Sequence, residues 1–456
     1  MKSKNLSRRE LLRQGAGVAA LTLLGDYSLL NATPQYTKPT QAPAAPSGYT
    51  LSEADDHFLE NLQDASFQYF WEQANPETGI VRDRCNASKP SRSDLGSIAA
   101  MGFGLTALCI GDKRGYVSHN EARTRVLNTL RFLWKKMPNH RGFFYHWANV
   151  NTGERLWDSE VSSVDTAILM CGVLTCRQHF PHSEISLLAY EIFNRIDWTW
   201  LSEDTSILPH GWRPESGFLQ YRWERYSELM MLYLLGLGSL THPLPADTWS
   251  AWKRLNFEYH GIRYIGSFDP LFVHQYSQAW FDFRGKRDQF ADYFRNSTKA
   301  TEVHRRFCLD LASQFSDYSE SLWGITASDS PRGYVVWGGP PATGPIDGTI
   351  VPCATGGSLP FLPQPTLQVL KTIKERYGQQ GAWTRYGFVD AFNPLTGWYD
   401  TDVVGIDTGI TLVMAENLRT GFVWDTFMKN LEARRGMERA GFKPYQVPGA
   451  SQADLA

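Results

Sequence analysis

The sequence predicts an all-α fold, an (α/α)6 toroid of six helical hairpins around a central cleft. Three observations carry that expectation. Helical hydrophobic spacing recurs in roughly ten to twelve segments, strand signals are scarce, and the intervening loops are very unequal in length. One bundle core stops growing well below about 400 residues, whereas a closed ring of hairpins can extend its loops on one side.

The elements follow in order. Residues 1–33 form an export-signal region in which Arg8 and Arg9 precede an apolar stretch from Ala16 to Leu24, the arrangement of a twin-arginine signal. That stretch is too short to span a bilayer. The expectation is a periplasmic or secreted protein, a twin-arginine translocase as partner during export, and no membrane anchor in the mature form. Residues 34–50 are a Pro- and Ala-rich linker, and 51–450 read as one folded domain. Helices are predicted over 52–74, 94–112, 118–137, 161–179, 184–196, 221–238, 245–258, 286–316, 364–378 and 408–429. In the fourth, Val161, Val164, Ile168 and Cys171 recur at helical spacing, and Ser162 with Asp165 stand like a capping box at its entrance.

Composition narrows the function. Of 456 residues, 42% are hydrophobic and 20% charged, as in soluble globular proteins. Lys plus Arg number 45 against 47 acids, a net charge of -2, so there is no basic field to gather nucleic acid or anionic lipid. The natural partner is uncharged. Aromatics make up 13% of the chain, with 16 Trp and 20 Tyr; their polar tips suit half-wet surfaces such as sugar platforms, and bulky core filler is an equal reading for any one of them. The six cysteines, Cys85, Cys109, Cys171, Cys176, Cys308 and Cys353, show neither a CxxC pair nor zinc-type spacing. No metal or other cofactor is expected, and Cys109 and Cys171 read as small core residues.

Cutting a glycosidic bond needs a proton donor for the leaving oxygen and a second carboxylate that activates water or attacks. Glu228, in WERYSELMMLYLLGLG, opens an apolar run, and burial there raises a carboxyl pKa as a general acid requires. The competing reading is a helix-start charge or a surface pair with Arg225. Asp158, Glu160 and Asp165 crowd LWDSEVSSVDTAIL, where mutual repulsion favours a retained proton, although taken singly Asp158 and Asp165 read better as helix caps. Asp390 and Asp407 flank Trp398, as a sugar-cleft wall or a loop anchor, and Glu416 sits among apolar residues and needs a partner. Tyr145, His146, Trp157, His274, Gln275, Tyr276, Trp337 and Trp398 are loop aromatics and hydrogen-bonding groups fit for sugar hydroxyls. The long loops at 142–160 and 324–348 are candidate functional loops. No GxSxG serine motif and no GK[ST] helix start are present.

The ordered segments SIAAMGFGLTAL (97–108), RGFFYHW (141–147), SEVSSVDTAIL (159–169), YSELMMLYLLGLGSLTHPLP (226–245), HQYSQAWFDFRG (274–285), NSTKA (296–300), WGITASDSPRGY (323–334), LPF (359–361), YGFVDAFN (386–393), GID (405–407) and AENLRTGFVW (415–424) together resemble the glycoamylase-like domain family, which includes bacterial endo-β-1,2-glucanases. The resemblance implies an (α/α)6 barrel and inverting, endo-type hydrolysis of β-1,2-glucan. Under it Glu228 falls on the family's essential glutamate, and Glu160 and Asp165 fall on its EVS and VDTA positions. Leu240 and Thr408 depart from the expected Pro and Gln, which leaves linkage and chain length open. The rival expectations are an exo-acting hydrolase or transglycosylase on another glucan, and a non-catalytic glucan-binding protein.

Overall fold

Two kinds of helix alternate along residues 49–90, 93–268, 270–340 and 344–445, the residues described by this computed structural model. In chain order they are α1 (Glu53–Gln73), α2 (Ile98–Arg114), α3 (His119–Lys135), α4 (Ser163–His179), α5 (Ser183–Asn194), α6 (Trp198–Ser202) and α7 (Leu229–Gly238). They continue with α8 (Thr248–Ala251), α9 (Tyr293–Asp310), α10 (Pro352–Gly356), α11 (Pro363–Thr372), α12 (Gly405–Thr420), α13 (Phe422–Phe427) and α14 (Leu431–Arg439). The expected export signal and all but the last two residues of the linker lie outside the described residues.

The first kind is buried all round. Every residue of α2 from Ile98 to Gly111, of α4 from Ser163 to Cys176, and of α7 and α10 throughout is buried, as is nearly all of α12. Helices apolar on every side belong in an interior layer. The second kind, α1, α3, α5, α9 and α11, buries one face and exposes the other. Within the interior layer α2 packs on α4 and on α12, and α4 packs on α7. The α2–α4 crossing is close enough that a Cβ on Gly102 would lie 2.4 Å from the Ile168 carbonyl oxygen, and one on Gly172 2.2 Å from that of Gly102. Only glycine permits backbones this near.

Local chemistry sets the ends. Ser52, Ser97, Ser162 and Asp292 accept from backbone N–H groups in the first turns of α1, α2, α4 and α9. Ser118 and Glu121 form a reciprocal capping box on α3. Gly421, with φ 69°, ends α12 in the left-handed conformation and splits the helix expected over 408–429 into α12 and α13.

The expected helices at 221–238 and 245–258 need correction. The first begins at Leu229, because residues 221–225 are an approach in which Arg222 bridges Pro209 and Arg225 bridges Lys253, and 226–228 bend into the helix. In the second only Thr248–Ala251 is helical; Leu255–Tyr259 is a strand paired with Ile262–Gly266. Leu255, Phe257 and Tyr259 face one side, and His260 and Gly261 have φ of 49° and 78°, the two-residue turn whose twist suits a hairpin. The helix expected over 286–316 starts at Tyr293, after a strand at Lys286–Arg287. Strands are more numerous than expected, yet each spans only 2 to 5 residues. All six cysteines are free and buried, with the sulfurs of Cys109 and Cys176 3.6 Å apart. No helix among the described residues is long and apolar enough to cross a membrane.

Candidate active site

The interior helices begin at a common face, and short strands stitch their starts together. Leu95–Ser97, leading into α2, pairs with Val81–Arg82 and with Trp147–Asn149. Val161, leading into α4, bridges Tyr145. Asp402–Val404, leading into α12, pairs with Arg84–Asn86, and the Gly405 N–H donates to the Asp83 carbonyl at 2.8 Å. The Trp223 indole N–H reaches Ser163 Oγ at 2.9 Å, which ties the approach to α7 to the start of α4. Helix starts carry partial positive charge, so carboxylates gather there at reduced cost. Asp165 and Asp407 are each the third residue of their helix, and Glu228 immediately precedes α7.

His146 organises one side of this face. Its N–H donates to the Glu160 carbonyl at 2.9 Å and its own carbonyl accepts from Ile98, the first residue of α2. The imidazole Nδ1 lies 3.3 Å from Glu160 Oε1 and Nε2 lies 3.5 Å from Asp165 Oδ2. Arg213 approaches the other Glu160 oxygen at 3.5 Å. A ring with a carboxylate on each nitrogen holds both acids at fixed separation, most strongly when protonated, because both nitrogens then donate. Trp147 stacks on the His146 ring at 4.0 Å. Asp165 therefore does more than begin α4: Ser162 supplies the cap and the Asp165 carboxylate faces His146.

Glu228 is buried, and its carbonyl accepts from Ser277 Oγ at 2.9 Å. The preceding residue of the same turn, Tyr276, donates its hydroxyl to Asp407 Oδ1 at 3.4 Å. One short turn thus touches both Glu228 and Asp407. Arg225 lies over the Phe268 ring.

A third group of acids lies behind Asp407. Asp329, Asp390 and Asp400 each present a carboxylate oxygen within 4.8 Å of the others. Asp390 is held well above the usual carboxylate range by burial, then by Asp407, Asp329 and Asp400. Burial, reinforced by Asp329, pushes Asp400 up to about 7. Arg84 pairs with Asp329 and with Asp83. This spacing suits a shared proton or a hard cation with oxygen ligands, and it is the only metal-type set among the described residues. A cavity of about 20 Å³, lined by Asp390, Asp407, Tyr386 and Thr411 among others, has room for one water molecule.

The remaining sequence-derived candidates separate clearly. Asp158 is exposed in a left-handed turn with φ 49° and is not a helix cap; Trp157 beside it is 59% exposed. Tyr145 lies under the Arg155 guanidinium. Trp337 is buried and donates to Ser328 Oγ, next to Asp329, and Trp398 lies half-buried on the hairpin that pairs it with Asn393. His274 is fully enclosed against the Tyr226 hydroxyl at 3.1 Å, and burial with nearby His304 pushes it down to about 3. Gln275 spends its amide on Ala354 O and Ser358 Oγ, both at 2.9 Å. Glu416 lies two and a half turns beyond Asp407 on α12, bound by Arg114, Gln63 and Thr420, and does not join the acids at the helix starts. Sequence reasoning missed Asp329, Asp400, Arg84 and Arg213; the signals for Asp329 are the long loop at 324–348 and the segment WGITASDSPRGY at its start.

The Glycoamylase family profile, described as "Putative glucoamylase", matches residues 220–431. A curated relative, the exo β-1,2-glucooligosaccharide sophorohydrolase (non-reducing end) of Parabacteroides distasonis, is 26% identical over 432 residues, covering 86% of this chain and 59% of that protein. The chain thus spans less than two thirds of that relative. The crystal structure of a "putative glucoamylase" from Bacteroides uniformis superposes with a TM-score of 0.81 at 30% identity, covering 87% of this chain and 99% of that one. The endo-β-1,2-glucanase of Chitinophaga pinensis, solved with sophorotriose and glucose, gives a TM-score of 0.78 at 27% identity over 86% of this chain and 99% of that one.

Proposed function

Because this chain belongs to the glycoamylase-like family, we propose that it is an exported glycoside hydrolase that cleaves β-1,2-linked glucan internally with inversion, inside an (α/α)6 toroid. The observation that carries the reading is that buried Glu228 opens an apolar helix whose approach is tied by Trp223 to the start of α4, where His146 fixes Glu160 and Asp165. The alternation of wholly buried and one-face-buried helices, with α12 packed back on α2, supports the ring.

In this chemistry the Glu228 carboxyl gives its proton to the glycosidic oxygen as that bond breaks. Water attacks the anomeric carbon from the opposite side of the sugar, and a second carboxylate takes the proton that the water loses. Inversion needs roughly 6.5 to 9.5 Å between the two carboxyl groups to admit that water. Glu160 and Asp165 supply the second carboxylate on the His146 side, and exposed Asp158 is a third candidate for it. Asp407 is a further position to test for water activation, because the turn that bonds the Glu228 carbonyl also bonds Asp407. Aromatic edges such as Tyr145 and Trp157 suit the uncharged substrate.

Arg8 and Arg9 ahead of the apolar stretch support passage through a twin-arginine translocase to the periplasm or beyond. The test is a panel of α- and β-glucans incubated with the purified protein, followed by product chromatography. A ladder of oligosaccharides from β-1,2-glucan is expected. A single product released from chain ends would transfer the assignment to an exo-acting enzyme, the activity carried by the Parabacteroides distasonis relative's name. Binding without any new reducing ends would leave a glucan-binding protein.

A further inference from the structure

We propose that Trp157 is a specificity-determining platform for the outer part of a β-glucan chain, selecting long chains over short ones; this rests on the glucan reading above. Trp157 is 59% exposed, more than any other large hydrophobic side chain among the described residues. Water-facing indole costs hydrophobic free energy, and a ring left there is available to a partner with an apolar face and polar edges. The C–H face of a glucosyl ring has that chemistry.

The backbone beneath it is held in place. Trp157 and Asp158 have φ of 56° and 49°, a left-handed pair that is costly for a bulky side chain and persists only where the surroundings impose it. Here they do. The Leu156 N–H donates to the Trp147 carbonyl at 3.0 Å, and the Ser159 N–H to Leu156 at 3.2 Å. The Arg155 guanidinium binds the Ser159 carbonyl at 2.6 Å and grips Glu215 with both terminal nitrogens. An exposed ring on a clamped turn loses little freedom on binding, which is what makes an aromatic anchor effective.

The ring is also linked to the acids through two successive ring contacts. Trp157 lies 6.0 Å from Trp147 in an edge arrangement, and Trp147 stacks at 4.0 Å on His146, whose nitrogens face Glu160 and Asp165. A sugar residue seated against the acids lies inward of Trp157, so only a chain that continues past that residue reaches the ring. Trp134, the other tryptophan more than a third exposed, sits on α3 with the Arg195 guanidinium over its ring and serves as a control.

The experiment compares kcat/KM on long β-1,2-glucan with kcat/KM on the shortest oligosaccharide that the wild-type protein cuts. Trp157→Ala lowers the long-to-short ratio about fivefold to tenfold, chiefly through KM on the long chain. Trp157→Phe restores much of it, and Trp134→Ala keeps the wild-type ratio. An equal loss on both substrates, or an unaltered ratio in Trp157→Ala, overturns the platform. Should the wild-type protein release no reducing ends from any glucan, hydrolysis itself fails and the platform is judged by binding. Quenching of tryptophan fluorescence by long β-1,2-glucan that disappears in Trp157→Ala then supports it, and quenching that persists overturns it.

Discussion

The two ends of the interior helices treat their carboxylates in opposite ways. Where α12 finishes, Arg419 binds Asp56 through two nitrogens and also reaches Glu60, while Arg114 serves fully buried Glu416. Hydrogen bonding from Arg419 holds Asp56 below the usual carboxylate range. For Glu60 the upward push of burial is outweighed by bonds from Tyr116 and Arg419. Where α12 begins, Asp390, Asp400 and Asp402 are all raised, burial being the first cause each time. Arg84 is the cation paired with that group, through Asp329. Acids matched with arginines build a framework; buried acids short of cations are pushed toward the protonated form. The cost in stability falls on the end where chemistry is proposed.

The largest expected effect comes from breaking the matched end. Arg114→Met strands the Glu416 carboxylate in the core, a loss of about 3 to 5 kcal/mol, read by chemical denaturation; an unaltered midpoint would mean that the pair carries no framework role. At the other end, His146→Ala frees Glu160 and Asp165 from their common clamp. A drop in kcat of about a hundredfold is expected, as for small misplacements of reacting groups, with a displaced pH–rate profile and little change in melting temperature. A collapse of the fold instead would place His146 in the framework class.

Stability against pH sharpens the contrast with smaller effects. Asp400 has a folded pKa of about 7 against an ordinary 3.8, so its favourable contribution is complete below about 4 and is lost as pH rises through 7. Asp400→Asn therefore gains melting temperature over the wild-type protein at pH 8 and none at pH 4. Asp56 and Glu60 run the other way: their folded pKa values are depressed, so their contribution is complete above the ordinary carboxylate range and is lost on acidification. Glu60→Gln should therefore lower the melting temperature at neutral and alkaline pH and converge with the wild-type protein on acidification, which flattens the acid limb. Thermal melts across pH 3 to 9 read both.

Much of the helical framework was legible because burial on every side leaves a continuous apolar run, as in LMMLYLLGLG of α7, and burial on one face leaves helical spacing, as in α3. The errors fell where tertiary contacts overrode local pattern. Residues 255–266 became a hairpin through alternate packing of Leu255, Phe257 and Tyr259 and the left-handed turn at His260 and Gly261. For the site, Glu160 and Asp165 were legible as crowded acids and His146 as a hydrogen-bonding group, whereas its place between the two acids was not, since that exists only once residue 146 is folded over the start of α4. Asp329 and Asp400 lie 71 positions apart in the chain, and no spacing rule joins them. Glu416 illustrates the converse: a buried acid with a partner 302 positions away reads the same in sequence as one kept for catalysis.

The most direct measurement is reducing-end release from β-1,2-glucan by the wild-type protein and by Glu228→Gln, with melting temperatures taken in parallel. Removing the proton donor while keeping its shape predicts a loss of kcat of at least about a hundredfold at an unaltered melting temperature. Wild-type turnover in the folded Glu228→Gln protein would contradict the assignment of the helix-start face as the catalytic one.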